Sequence, residues 1–202
     1  MDEQGKDPSS EESLGYYRRL QAAVEELLVM KGLFTGEDID RQIRAMDERD
    51  HTRGARMVAR AWLDHDYRKR LLKEGSAAAE ELGFPVGPLK LTVVENTATL
   101  HNVIVCTLCS CYPRALLGIP PDWYKSREYR SRVVREPRKV LAEFGVDLPP
   151  GTNVRVHDST AELRYMVLPL RPKGTETFGE DQLAALVTRD SLIGVGLPAA
   201  TS

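Results

Sequence analysis

All three cysteines of the chain fall inside one six-residue window, Cys106-Thr107-Leu108-Cys109-Ser110-Cys111, and none occurs elsewhere in the 202 residues. Whatever this chain folds into must end a regular element there, turn tightly and present three thiols together. Cysteines that serve only as small buried apolar residues would be scattered over several apolar segments. Three in one short loop point to one shared piece of chemistry, a metal site. Disulfides are a poor alternative. Three thiols cannot all pair within a chain, and a Cys109–Cys111 bridge would close a very small, strained ring. The first residues, MDEQGKDPSSEES, are polar and acidic without the apolar centre of a secretory signal. The expected location is therefore cytoplasmic, where structural disulfides are rare. No apolar run approaches the length of a membrane span, so no membrane association is expected. A net charge of −2 gives no general attraction to nucleic acid.

The expected fold class is α+β: an N-terminal helical arm followed by a compact layered α/β/β/α domain with short strands. Residues 1–12 read as a disordered tail, 13–84 as the arm and 85–202 as the catalytic domain with the cysteine loop. In the arm, Tyr17, Leu20, Val24, Leu27 and Leu28 recur at helical spacing from Ser13 to a stop at Gly32. Thr35, with Asp38 three residues on, starts a second helix, and a third is expected from Thr52 to Lys73. After Pro85 and Pro88 the period changes. Leu89, Leu91 and Val93 alternate with polar residues, Glu95-Asn96-Thr97 turns, and His101 to Val105 delivers the chain to Cys106 as a strand. A helix is expected from Asp122 to Arg135, broken by Pro137. Strands are expected at Val154–Val156 and Leu163–Leu168, a helix at Asp181–Thr188, and a last short strand at Ile193–Val195.

The donor inventory narrows the metal. Structural zinc takes four side-chain ligands, usually from two separated pairs, and no second pair exists. Of the histidines, His51, His65, His101 and His157, only His101 is near in sequence, and strand alternation points it away from Cys106. An iron–sulfur cluster normally takes four cysteines, and the fourth is missing. The backbone amide nitrogens of Ser110 and Cys111 are the remaining candidate donors. Thiolates with deprotonated amides favour a highly charged ion such as trivalent cobalt or iron over zinc. One position would stay open for water or substrate beside a Lewis-acidic ion.

Val105-Cys106-Thr107-Leu108-Cys109-Ser110-Cys111 resembles the metal-claw motif of the nitrile hydratase alpha subunit, shared by the catalytic subunit of thiocyanate hydrolase. The resemblance continues in Val94-Glu95-Asn96-Thr97, in Gly118-Ile119-Pro120-Pro121-Asp122-Trp123-Tyr124-Lys125-Ser126, in Tyr129 to Arg138, in Glu162-Leu163-Arg164-Tyr165 and in Arg171 to Glu176. It covers residues 15–196. It implies sulfur ligands from Cys106, Cys109 and Cys111 and amide nitrogens from Ser110 and Cys111. It also implies Cys109 as the sulfinic and Cys111 as the sulfenic acid, two rungs of the cysteine oxidation ladder, with Cys111 and Ser110 at the reacting centre. Thr107 tends to mark cobalt members, so one cobalt(III) per chain is implied, ahead of iron(III). The reaction implied is hydration of a small-molecule nitrile to the amide. The partner implied is a beta subunit or beta fragments, with a metallochaperone as a further one.

Many cobalt members carry tryptophan where this chain has Arg114. A guanidinium there suggests a more polar substrate, and the stretch looks like the variant acting on the nitrile of a nucleoside antibiotic, toyocamycin. Arg114 and Trp123 are thus the candidate pocket residues, against the plainer readings that Arg114 faces solvent or a partner and that Trp123 is core. Lys125 to Lys139 is basic, but with little aromatic interleaving it reads as a solvated or partner-facing helix surface, not a nucleic-acid site. Asp158-Ser159-Thr160 reads as a turn without catalytic geometry. Thiocyanate hydrolysis, metal delivery without catalysis and a zinc-stabilised module stand as the alternatives.

Overall fold

The structure is a computed structural model and describes residues 11–199. The tail expected at 1–12 lies, up to residue 10, outside the described residues; Glu11 and Glu12 already belong to the first helix. The chain divides into two compact units, residues 1–46 and 47–202.

The first unit is a pair of helices, α1 (Glu11–Met30) and α2 (Gly36–Asp47). Gly32 makes the turn between them at φ +67, a conformation that costs glycine nothing. Thr35 and Asp38 cap α2 reciprocally: Asp38 N–H donates to Thr35 Oγ1 and Thr35 N–H to Asp38 Oδ2. The capping pattern expected from the sequence is therefore formed. Tyr17, Leu20, Val24 and Leu27 on α1 are exposed.

The second unit holds α3 (Thr52–Leu63), α4 (His65–Lys73), α5 (Gly75–Glu81), β1 (Lys90–Glu95), β2 (Leu100–Val105), α6 (Arg114–Leu117), α7 (Asp122–Lys125), α8 (Arg127–Arg135), α9 (Pro137–Glu143), β3 (Asn153–Asp158), β4 (Leu163–Leu168), α10 (Glu180–Leu186) and α11 (Arg189–Ile193). It begins at Asp47, not at residue 85. Helices α3 to α5, grouped with the arm on the sequence, carry Met57, Val58, Tyr67 and Leu71 into the main core. A Cβ on Gly54 would sit 2.8 Å from Leu192 Cδ1 and 3.3 Å from Met166 Sδ. The absence of a side chain there lets α3 lie directly on the domain. Two expected helices are each interrupted. Asp64 accepts from Asp66 N–H and Tyr67 N–H and so ends α3 and starts α4. Ser126 accepts from Tyr129 N–H and separates α7 from α8. Both are side-chain N-caps, which stabilise a new helix start by about 1 kcal/mol.

The strands form two two-stranded parallel sheets, β1 with β4 and β2 with β3. Helices α4 and α5 pack on β1, α9 packs on β3, and the two sheets meet through β2 and β4. This helix–sheet–sheet–helix order matches the mixed fold expected. The last expected strand at Ile193–Val195 is instead α11 and the turn after it. Thr188 caps that helix by accepting from Ser191 N–H. Ile193 and Val195 are buried, so an apolar run of this length does not separate buried helix from strand.

Candidate metal centre

Strand β2 ends at Val105, and its parallel partner β3 ends opposite it at Asp158 in the register Val105↔Asp158. That register builds the base of the cysteine loop. Asp158 accepts from Thr107 N–H at 2.9 Å and from Thr107 Oγ1–H at 2.5 Å. From the other side Arg130 Nη1 donates to Thr107 O at 3.3 Å. Thr107 is thus held at its amide, its hydroxyl and its carbonyl. Asp158, read as part of a turn without catalytic geometry, is the latch of the loop. A residue 51 positions away gives no local signal of this. The basic helix surface expected around Arg130 is likewise partly absorbed: Arg132 pairs with Glu128, Glu136 and Glu143, and Arg130 reaches the loop.

Behind the loop is an aromatic wall. Tyr124 O–H donates to Cys111 O at 2.9 Å and Tyr129 O–H to Ile104 O at 2.7 Å. Burial pushes both phenols up, so both remain neutral donors. Trp123 packs edge-on against Tyr129 and Phe144, with ring centroids 4.9 and 4.8 Å apart. It is not among the residues lining the cavity beside the loop. Of the two readings of Trp123, its packing here is that of a core residue. An indole half-buried among aromatic rings is part of the support for the loop.

The three sulfurs converge. Cys106 Sγ lies 3.4 Å from Cys109 Sγ, Cys109 Sγ lies 3.2 Å from Cys111 Sγ, and all three fall within 4.8 Å of one another. Sulfurs this close can all reach one ion at the ~2.3 Å of a metal–thiolate bond. Cys106 is 1% exposed, whereas Cys109 is exposed and Cys111 is half-buried. Hydrogen bonds from Cys111 and then Cys106 pull the Cys109 thiol down to about 7, and burial pushes Cys111 up to about 12. Arg164 opposes that rise at Cys111. No histidine joins the cluster. His101 Nε2 donates to Gly194 O and its Nδ1 faces Asn96 Nδ2, as strand alternation predicts.

A cavity of about 440 Å³ opens beside the sulfurs. Cys109, Ser110, Cys111 and Arg114 line it, so the structure brings the end of the loop and the candidate substrate arginine to one space. Sequence reasoning missed Arg49, Lys90 and Arg164, which line the same cavity with Val86, Leu89, Leu91 and Leu116. Gly118, at φ +73, allows the backbone of Arg49 to lie against the end of α6, where a Cβ would collide with Arg49 O.

A sulfur triad on one tight loop, latched at its base and open at its tip, in an α+β chain of this size defines a thiolate-held metal subunit. The chain belongs to the nitrile hydratase, alpha chain, family, which matches residues 16–196. It is 50% identical over 203 residues to the low-molecular weight cobalt-containing nitrile hydratase subunit alpha of Rhodococcus rhodochrous, covering 98% of this chain and 96% of that one. It is 45% identical over 203 residues to the thiocyanate hydrolase subunit gamma of Thiobacillus thioparus, covering 93% and 82%. Among solved structures, a double mutant of the Fe-type nitrile hydratase from Comamonas testosteroni Ni1 superposes with a TM-score of 0.85 at 45% identity, covering 93% of this chain and 95% of that one.

Proposed function

We propose that this chain is the catalytic alpha subunit of a cobalt nitrile hydratase, acting with a beta subunit or beta fragments. The convergence of the three sulfurs of one loop carries the reading, because it lets a single ion take all three. Cys106, Cys109 and Cys111 would supply the sulfur ligands, and the amide nitrogens of Ser110 and Cys111 the remaining donors. Cobalt(III), one per chain, is favoured over iron(III) by Thr107 and by cobalt-containing relatives, although an Fe-type structure is also similar. Bound there, the ion supplies Lewis acidity, polarising a nitrile and acidifying water.

The chain's own residues do the rest. Ser110 and Cys111 border the cavity at the reacting end, with Cys111 oxidised to the sulfenic and Cys109 to the sulfinic acid. Arg114 donates hydrogen bonds to a polar substrate body, consistent with the nitrile of a nucleoside antibiotic such as toyocamycin. The backbone hydrogen bond from Tyr124 to Cys111 O and the latch at Thr107 keep the loop from relaxing. Water adds across the nitrile, its oxygen bonding to carbon and its protons ending on nitrogen. The oxidised sulfurs are anionic and gain from cationic donors, some from the partner subunit. The expected location is the cytoplasm; no described helix is long and apolar enough to cross a membrane.

Thiocyanate hydrolysis is the second reading, favoured by the cations around the cavity and by the thiocyanate hydrolase relative. Parallel assays of the assembled complex with a nitrile nucleoside, a simple nitrile and thiocyanate separate the two. Turnover of thiocyanate alone overturns the nitrile reading. Metal analysis with peptide mass of the loop is the companion test: cobalt, two added oxygens on Cys109 and one on Cys111 are expected. Active protein with zinc and three plain thiols would sink it.

A further inference from the structure

The cavity beside the claw is cationic without compensation. Arg49, Lys90, Arg114 and Arg164 line it, and no aspartate or glutamate does. Elsewhere cations are commonly matched, as in Arg60 with Glu180, Arg68 with Glu95, Arg70 with Glu81 and Arg132 with three glutamates. None of the four cavity cations has a carboxylate partner among the described ion pairs. Arg164 Nη1 is spent on the carbonyls of Thr160 and Leu163, and its Nε is buried with no partner. Lys90 opens β1 one position before Leu91, which stands opposite Arg164 in the sheet register. Strand alternation sends Lys90 off the face opposite to Leu91 and Arg164, so the cations reach the cavity from more than one side.

Two demands on the cavity could account for the charge. The claw itself is one, and Arg164, fixed beside it by its bonds to the carbonyls of Thr160 and Leu163, is spent there. Arg49, Lys90 and Arg114 then remain for something else. A triatomic anion would use little of a space of about 440 Å³, which is within the range of pockets for drug-sized ligands. The apolar side chains of Val86, Leu89, Leu91 and Leu116 in the same lining call for an apolar body. Cations that fork onto oxyanions, set in an apolar wall, fit a molecule with both features.

We propose that the substrate is an organic nitrile that also carries an oxyanion, phosphate or carboxylate, held by Lys90 and Arg49 with Arg114 while the nitrile faces the claw. This rests on the nitrile reading above and sharpens it by charge class. The test uses the assembled, cobalt-loaded complex and two pairs of probes: a nitrile nucleoside with its 5′-monophosphate, and benzonitrile with 4-cyanobenzoate. Dissociation constants come from calorimetry and kcat/KM from amide formation. The charged member of at least one pair should bind at least tenfold tighter at low salt, and the advantage should shrink as salt rises. Lys90→Gln and, separately, Arg49→Gln should each cut that charged-to-neutral ratio by at least threefold, through KM more than kcat. Preference in the nucleoside pair alone assigns phosphate, and in the benzoate pair alone carboxylate. Equal affinities in both pairs, or ratios that neither substitution alters, overturn the proposal. Preferential binding of the charged probes without any amide formation would leave this anion site standing and sink the nitrile reading instead.

Discussion

The two ends of the six-residue claw are built on opposite principles. At its start, Cys106 is buried at the end of a strand, and Thr107 is held by Asp158 and Arg130 at every polar atom of its amide, hydroxyl and carbonyl. At its tip, Leu108 is 90% exposed and the Cys109 thiol faces an open cavity. The base is fixed through three bonds at Thr107, the far end through Tyr124 at Cys111 O, and the stretch between them is open. The difference shows how one short loop combines a fixed donor geometry with access for a substrate. The tip has no cover of its own among the described residues.

Breaking the donor set should have the largest effect. Cys109→Ala removes the sulfur shared by both short spacings, so cobalt per chain should fall to near zero and nitrile turnover by at least about 100-fold, on the scale of losing a directly reacting group. Metal analysis and initial rates check it. Removing the latch should come next. Asp158→Ala leaves Thr107 with neither acceptor, and metal retention against a chelator should drop about 10–100-fold, the usual cost of losing an outer partner of a metal site. An effect as large as that of Cys109→Ala would mean that base and tip are not separable. Tyr129→Phe loosens the strand that feeds the base. It should lower stability by about 1 kcal/mol, read from urea unfolding, with the metal content retained. At the tip, Leu108→Ala should change the stability of the isolated chain by less than about 0.5 kcal/mol, while weakening assembly with the partner in a titration. A large loss of stability in the isolated chain would show that the tip is packed after all.

His101 in β2 and the half-buried His157 in β3 add a pH test of the base. Burial lowers the pKa of both His101 and His157, so each prefers to be neutral in the fold. Protonation then favours the unfolded chain, whose histidines titrate at about 6.5. The stability they contribute is full above that value and is lost as pH falls below it towards the folded pKa. His101→Asn should flatten this acid limb in denaturant titrations between pH 7 and pH 5.

What was legible in the sequence was local. The claw, the strand that delivers it, the exclusion of His101 and the Thr35–Asp38 cap depend on residues a few positions apart. The pieces that were not legible depend on parallel pairing. Asp158 reaches Thr107 only because β3 lies beside β2, and Arg164 reaches the cavity only because β4 lies beside β1. Neither pairing has a short hairpin signature, because parallel strands need long crossover connections. Trp123 was left between two readings for a similar reason. Its nearness to the claw in sequence says nothing about which side of Tyr124 and Tyr129 its ring will take. The end of α3 was hidden differently: Asp64 can start a helix only by stopping another, and the apolar period runs through it unbroken.

The latch also sets an order of events during synthesis. The claw leaves the ribosome 51 residues ahead of the aspartate that shapes its base. At ~5–20 residues per second that is an interval of about 3–10 s. During it the three thiols exist in a loop whose first turn is not yet fixed. The fixed base of the loop therefore exists only once most of the chain has been made and β3 has docked, so shaping the sulfur triad is in this sense a late step of folding.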